Sequence, residues 1–195
     1  MTLHLVALGS NSRLNVMANA RQIARVLRCL PGRIGVVSRL FRTPAWPPGS
    51  GPDFVNAAAL VVSPMPSALF LARLHGIEAR FGRVRRERWG ARTLDLDLLG
   101  SGGLVRPDAR VVRHWIDLPA DRQIAEAPGQ LILPHPRLQD RAFVLVPLAE
   151  IAPRWRHPVT GRSVAAMAAT LSGARRREIR PVGPVDGVVN TNLRP

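Results

Sequence analysis

Thr93-Leu94-Asp95-Leu96-Asp97-Leu98 alternates polar and apolar side chains without a break. A period of two belongs to a β-strand, where successive side chains point to opposite faces of a sheet. Leu94, Leu96 and Leu98 must then be covered by other elements, and Asp95 and Asp97 leave the sheet together on the other face. Their β-carbons should lie roughly 7 Å apart. A chain with this strand needs a sheet with one face packed under helices.

The flanking sequence supplies the rest. "LHLVALGSN" is expected to be a buried first strand ending in a Gly-Ser-Asn turn. "NVMANARQIARVLRCLPG" places Val16, Ile23, Val26, Leu27 and Leu30 on one side of a helix that Pro31-Gly32 stops. "RIGVVSRLFRT" reads as a second strand, "PAWPPGSGPD" as a loop, and "FVNAAALVVS" as a third strand. "SPMPSALFLARLHGIEARFG" reads as a second helix, from near Ser63-Pro64 to Gly82, before the Asp95 strand. The order β-α-β-β-α-β is ferredoxin-like, an α+β fold with an antiparallel sheet and both helices on one face. "LILPHPRLQDRAFVLVPLAEIAP" adds a short extended piece, a loop and a C-terminal helix over roughly Arg141 to Glu150. The expected organisation is one domain over residues 1–172, with 101–130 as a helical insertion. A basic, Pro- and Gly-rich tail over 173–195 is expected to be poorly ordered.

The formal net charge of +15 invites a nucleic-acid partner. Yet all 28 basic residues are arginine and lysine is absent. That excludes the P-loop, the protein kinases and Schiff-base chemistry, each of which needs a lysine. A phosphate bound here would have to be bound by arginine. The single cysteine excludes a disulfide framework. No apolar run is long enough to span a membrane, and the first residues lack the basic start of a signal peptide. The expected location is cytoplasmic.

"GRVRRERWGARTLDLDLLG", Gly82 to Gly100, sets Arg83, Arg85, Arg86, Arg88 and Arg92 beside the paired aspartates. An Asp-x-Asp pair alone is more often a solvent-facing alternation than a site. An arginine run alone is a solvated charge run, or a nucleic-acid contact with Trp89 stacking. Together they favour a metal–nucleotide site. Carboxylates in a groove repel a nucleic-acid backbone, whereas Mg²⁺ takes a few carboxylates plus phosphate oxygens and water. Guanidinium forks match phosphate oxygens.

That stretch strongly resembles the signature of the 6-hydroxymethyl-7,8-dihydropterin pyrophosphokinase family of folate biosynthesis. "ALGSN", "FRTPAW", "DFVNAA" and "LPHPRLQDRAFVLVPLAEIAP" match in order, and the resemblance covers about Leu3 to Pro153. It implies transfer of a diphosphate from ATP to the hydroxymethyl group of a dihydropterin, with AMP released. Asp95 and Asp97 would bind two Mg²⁺ ions, and Asp97 is also a candidate to receive the hydroxyl proton. Arg83 and Arg92 would stabilise charge on the transferred group. Arg85 and Arg88 would help close the loop and, with Arg92, His135 and Arg141, would contact ATP. Phe54 and Phe143 would stack on the pterin. Asn56 and the stretch Thr43, Pro44, Ala45 and Trp46 would read its edge, with Trp89 beside it and Glu78 as a further polar candidate. Ala91 departs from a proline common in the family, and Pro136 follows His135 where some relatives carry an aromatic residue. The partners implied are ATP and 6-hydroxymethyl-7,8-dihydropterin, with a monomer expected, no membrane, and nucleic acid disfavoured. The competing reading is a nucleic-acid-binding protein using the arginine loop and tail.

Overall fold

The computed structural model describes residues 1–11, 15–45, 52–82 and 94–185. Strand β1 (Thr2–Ser10) leads into helix α1 (Val16–Leu27), whose N-terminus is capped by the Asn15 side chain accepting from the Ala18 N–H at 2.8 Å. Next come β2 (Arg33–Val37), β3 (Leu40–Thr43), β4 (Phe54–Ser63), α2 (Ser67–Arg80) and β5 (Asp95–Ser101). With a last strand β6 (Arg180–Gly183), the sheet is antiparallel in order β5-β1-β4-β3-β6, and β2 is also paired to β4. The expected second strand is thus two collinear pieces. Ser38 separates them: its Oγ accepts from the Ala58 N–H and donates to the Arg39 carbonyl. The second helix begins at Ser67 rather than near Ser63, because β4 continues through Ser63 and Pro66 takes the cap position.

The leucine face behaves as its period demands. Leu94, Leu96 and Leu98 are buried with Ile23, Val26 and Leu27 of α1 and with Phe70, Leu74 and Ile77 of α2. Burying each large apolar side chain contributes roughly 1.5–3 kcal/mol, so the face is strongly specified. The opposite face, which the ferredoxin-like order by itself leaves free of helices, is covered as well. Helices α5 (Ala142–Ile151) and α6 (Val164–Ala169) cover much of it, with Val144, Leu145, Leu148 and Met167 against Leu5, Ala7, Ala58, Leu60 and Leu99. A sheet hydrophobic on both faces must be covered on both. Asp95, Gly9 and Phe54, at one end of the sheet, lie outside that buried cluster.

Between β5 and α5 lie α3 (Ala109–Asp117), α4 (Ala120–Ala125) and a 3₁₀ turn over Leu138–Asp140. The 101–130 insertion is attached to the later loop by Arg106 and Leu133, which exchange backbone hydrogen bonds of 2.8 and 3.0 Å. The tail corrects the sequence expectation over 173–185. Helix α7 (Gly173–Arg177) is followed by β6 (Arg180–Gly183), which pairs with β3. The segment needs no apolar periodicity, because backbone pairing docks it and Ile179 and Val185 are buried. Residues 186–195 lie outside the described residues. Among the described residues no helix is long and apolar enough to cross a membrane.

Candidate active site

Strand register assembles the site. Gly9 of β1 lies opposite Asp95 of β5 on one side and Asn56 of β4 on the other, and Asn56 lies opposite Phe41 of β3. Directly opposed residues share a face, so Asp95, Gly9, Asn56 and Phe41 form one row across the sheet. The row nearer the sheet's end contains Phe54 opposite Thr43, and the row further in contains Asp97 opposite Ala7. The carboxylates therefore stand on the same face as Phe54, Asn56 and Thr43. Asp95 and Asn56 are two strand spacings apart, roughly 10 Å.

Gly9 keeps the space between them open. A β-carbon there would sit 2.9 Å from Asn56 Oδ1 and 3.9 Å from Asp95 Cβ. Asn56 is 5% exposed and its Nδ2 donates to Thr43 Oγ1 at 2.7 Å. That bond fixes the amide and turns its oxygen over Gly9. The Gly-Ser-Asn turn adds a second constraint: Asn11 Nδ2 donates to the Pro52 carbonyl at 2.7 Å, just ahead of β4.

The phosphate-side candidates come from the C-terminal half. Arg141 caps the start of α5 and its Nη1 donates to Asp97 Oδ2 at 3.2 Å. Its guanidinium carbon lies 5.6 Å from the Phe143 ring centroid. The His135 N–H donates to the Leu99 carbonyl at 2.9 Å, which pins the loop along β5. His135 Nδ1 accepts from the Arg137 N–H at 3.1 Å. The ring is then neutral with its proton on Nε2, a hydrogen-bond donor. Burial pushes the imidazole down to about 4; the Asp97 carboxylate opposes this, and Arg141 and Arg137 reinforce it.

Arg137 was missed by sequence reasoning, although "HPR" carries it beside His135. Its Nη1 donates to the Gln123 carbonyl of α4 at 3.3 Å, and no described carboxylate lies within ion-pair distance. Burial and the neighbouring Arg141 lower its pKa, with Asp140 opposing. Gly9 and Asn11 were also missed as site residues. A glycine inside an apolar strand was the available signal.

The structure leaves Phe54 half-buried and Phe143 38% exposed, so neither ring is spent on the core. Thr43 and Ala45 are buried beside Asn56, and Pro44 is exposed. Glu78 is 1% exposed on α2, and its Oε1 accepts from the Leu96 N–H of β5 at 2.8 Å. Trp46, Arg83, Arg85, Arg86, Arg88, Trp89 and Arg92 lie outside the described residues.

Asp95 and Asp97 supply hard oxygen donors, and no third His, Cys, Asp or Glu joins them in a metal-holding group among the described residues. That donor set fits Mg²⁺, which keeps water ligands and completes its shell with phosphate oxygens. The class defined by fold and site is a ferredoxin-like α+β domain with a carboxylate–arginine cluster on the same sheet face as a fixed amide and Phe54. Within that class the chain belongs to the 7,8-dihydro-6-hydroxymethylpterin-pyrophosphokinase (HPPK) family, whose model matches residues 5–153. It is 37% identical over 157 residues to the 2-amino-4-hydroxy-6-hydroxymethyldihydropteridine pyrophosphokinase of Methylorubrum extorquens, covering 78% of this chain and 84% of that one. The Synechocystis sp. protein of the same name is 43% identical over 128 residues, 65% of this chain and 54% of its own length. A crystal structure of Plasmodium falciparum HPPK-DHPS shares the fold, with TM-score 0.62 at 12% identity over 86% of this chain and 45% of that chain. The chain thus spans about half the length of the Synechocystis relative and less than half of the Plasmodium one.

Proposed function

We propose that this chain transfers diphosphate from ATP to the hydroxymethyl group of 6-hydroxymethyl-7,8-dihydropterin. The observation that carries the reading is the single row Asp95–Gly9–Asn56, which sets carboxylates and a fixed amide on one face across an open glycine. The hydroxymethyl oxygen forms a bond to the β-phosphorus, the bond from that phosphorus to the α–β bridging oxygen breaks, and AMP leaves. The hydroxyl proton is released, with Asp97 the candidate acceptor. Asp95 and Asp97 would hold two Mg²⁺, which when bound neutralise phosphate charge.

The chain's own groups divide the work. Arg141, Arg137 and the neutral His135 Nε2–H are donors for the nucleotide phosphates, and fixed donors aimed at developing charge stabilise a transition state. Asn56 and the backbone at Thr43, Pro44 and Ala45 read the edge of a flat heterocycle, with Phe54 and Phe143 on its faces. Arg83, Arg85, Arg88, Arg92, Trp46 and Trp89 complete the site in this reading on the strength of their motif. A cytoplasmic monomer fits the single cysteine and a site drawn from one chain; sedimentation of the isolated protein tests the monomer.

The test is incubation with ATP, Mg²⁺ and 6-hydroxymethyl-7,8-dihydropterin. AMP should accumulate in step with acceptor consumption. ADP as the nucleotide product, or AMP release independent of the acceptor, would overturn the reading.

A further inference from the structure

Residues 178–185 lie beyond the 5–153 stretch that matches the family model. They form a strap around the β3 edge of the sheet. Ile179 is buried at its start, and β6 pairs Arg180 with Arg42, Pro181 with Phe41 and Gly183 with Leu40. Val185 then enters the core under α1 and α2. Strand β3 has four residues and is separated from β2 by the Ser38–Arg39 break. Without β6 it would be a short edge strand, held along three residues by β4.

The end of β3 carries Thr43, whose Oγ1 receives the Asn56 amide. At that same end a cleft of about 290 Å³ is lined by Arg42, Pro44, Asp53, Glu178 and Arg180. Arg42 Nε donates to Asp53 Oδ2, tying β3 to the residue preceding Phe54. Strand pairing holds the β3 backbone from Leu40 to Arg42, directly before Thr43, and the charged residues of this cleft flank Arg42 and Pro44 on either side of it. On the function proposed above, we infer that the strap is a positioning element for the acceptor half of the site. It holds Thr43 so that the Asn56 amide keeps one orientation. Asp97 lies on β5, at the opposite edge of the sheet from β6, and His135 and Arg141 are hydrogen-bonded to that strand.

The test uses the full chain, a truncation ending at Glu178, and Val185→Ser, which loosens the anchor while leaving the strap in place. Val185→Ile serves as the conservative control. Acceptor KM should rise at least tenfold in the first two variants, with Val185→Ile close to wild type. Affinity for a non-hydrolysable Mg²⁺–ATP analogue, measured by calorimetry, should stay within twofold. If the truncation does not fold, Val185→Ser decides. Unchanged acceptor KM in a folded variant would overturn the strap's role, as would equal losses of acceptor and nucleotide binding. Absence of acceptor-dependent AMP from the wild type would instead overturn the underlying functional reading.

Discussion

Gly9→Ala tests the geometry of the site most directly. The new β-carbon would stand 2.9 Å from Asn56 Oδ1, about 0.5 Å inside ordinary contact distance. Asn56 cannot retreat freely, because it is 5% exposed and bonded to Thr43 at 2.7 Å. Rotating the amide away leaves buried polar groups unpaired, at a cost of about 1–3 kcal/mol. Replacing a strand glycine by alanine recovers roughly 0.5–1 kcal/mol through the unfolded chain. The net loss of stability should be about 1 kcal/mol, a Tm fall of about 2–4 °C for a domain of this size. The acceptor loses a pre-aligned amide worth about 1–3 kcal/mol, so acceptor KM should rise by roughly 5- to 150-fold. Asp95 Cβ is 3.9 Å away, an ordinary contact, so Mg²⁺–nucleotide affinity should change by less than about twofold. Steady-state kinetics with varied acceptor at saturating ATP, alongside calorimetric nucleotide titration, separate the two halves. Unchanged acceptor KM, or loss of nucleotide affinity to the same degree, would refute the reasoning.

Asp95→Asn and Asp97→Asn should each lower kcat by about 10²-fold or more; near-normal turnover across a Mg²⁺ titration in either variant would remove the metal role. Arg137→Gln should weaken nucleotide binding several-fold without lowering Tm, because it relieves repulsion from Arg141; a fall in Tm with binding intact would make Arg137 structural. His4 and His157 are fully buried, burial lowers both pKa values, and His157 Nδ1 accepts the Val159 and Thr160 N–H groups. The unfolded chain therefore takes up protons first as pH falls below 6.5, so this stability is present above 6.5 and lost on acidification, by at most about 1.4 kcal/mol per pH unit for each histidine. Denaturant titrations of wild type and His157→Asn at pH 7.5 and 5.5 check it, and equal pH slopes in the two proteins would refute it.

What was legible in the sequence is what a short-range period encodes. The alternation at Leu94–Leu98, the 3-and-4 spacing at Ile23, Val26 and Leu27, and the parity of Phe54 with Asn56 each fix a face from local geometry, and together they gave the ferredoxin-like order. Features that depend on long-range contact escaped. Val144, Leu145 and Leu148 show an apolar helix, but nothing local says it lies over Leu5 and Leu60 on the second face. Strand β6 is four residues of Arg, Pro, Val and Gly, a composition that reads as tail, and it is ordered by the edge it meets. The hydrogen bond between Glu78 and the Leu96 N–H joins residues 18 apart in the chain and leaves no local signal. Arg137 looks like one more arginine in an arginine-rich chain until Gln123 and Arg141 are seen around it.

The spacing between the carboxylates and the Asn56 amide is set by backbone. Strand β1 is central, with β5 and its carboxylates on one flank and β4 with Asn56 on the other. The separation of the halves is then two ladder spacings, roughly 10 Å, a distance no side-chain rearrangement alters. In the proposed reaction, a hydroxyl reaching from the amide side toward a phosphate on the carboxylate side would pass over β1, where the chain has Gly9. The leucines set the orientation of everything else. If β5 slipped by one residue against β1, Leu94, Leu96 and Leu98 would turn to the open cleft and Asp95 and Asp97 would be driven under α1 and α2. Two ionised carboxylates buried there without partners would cost far more than the cleft could return. The apolar face of β5 is thus what holds its polar face in the site.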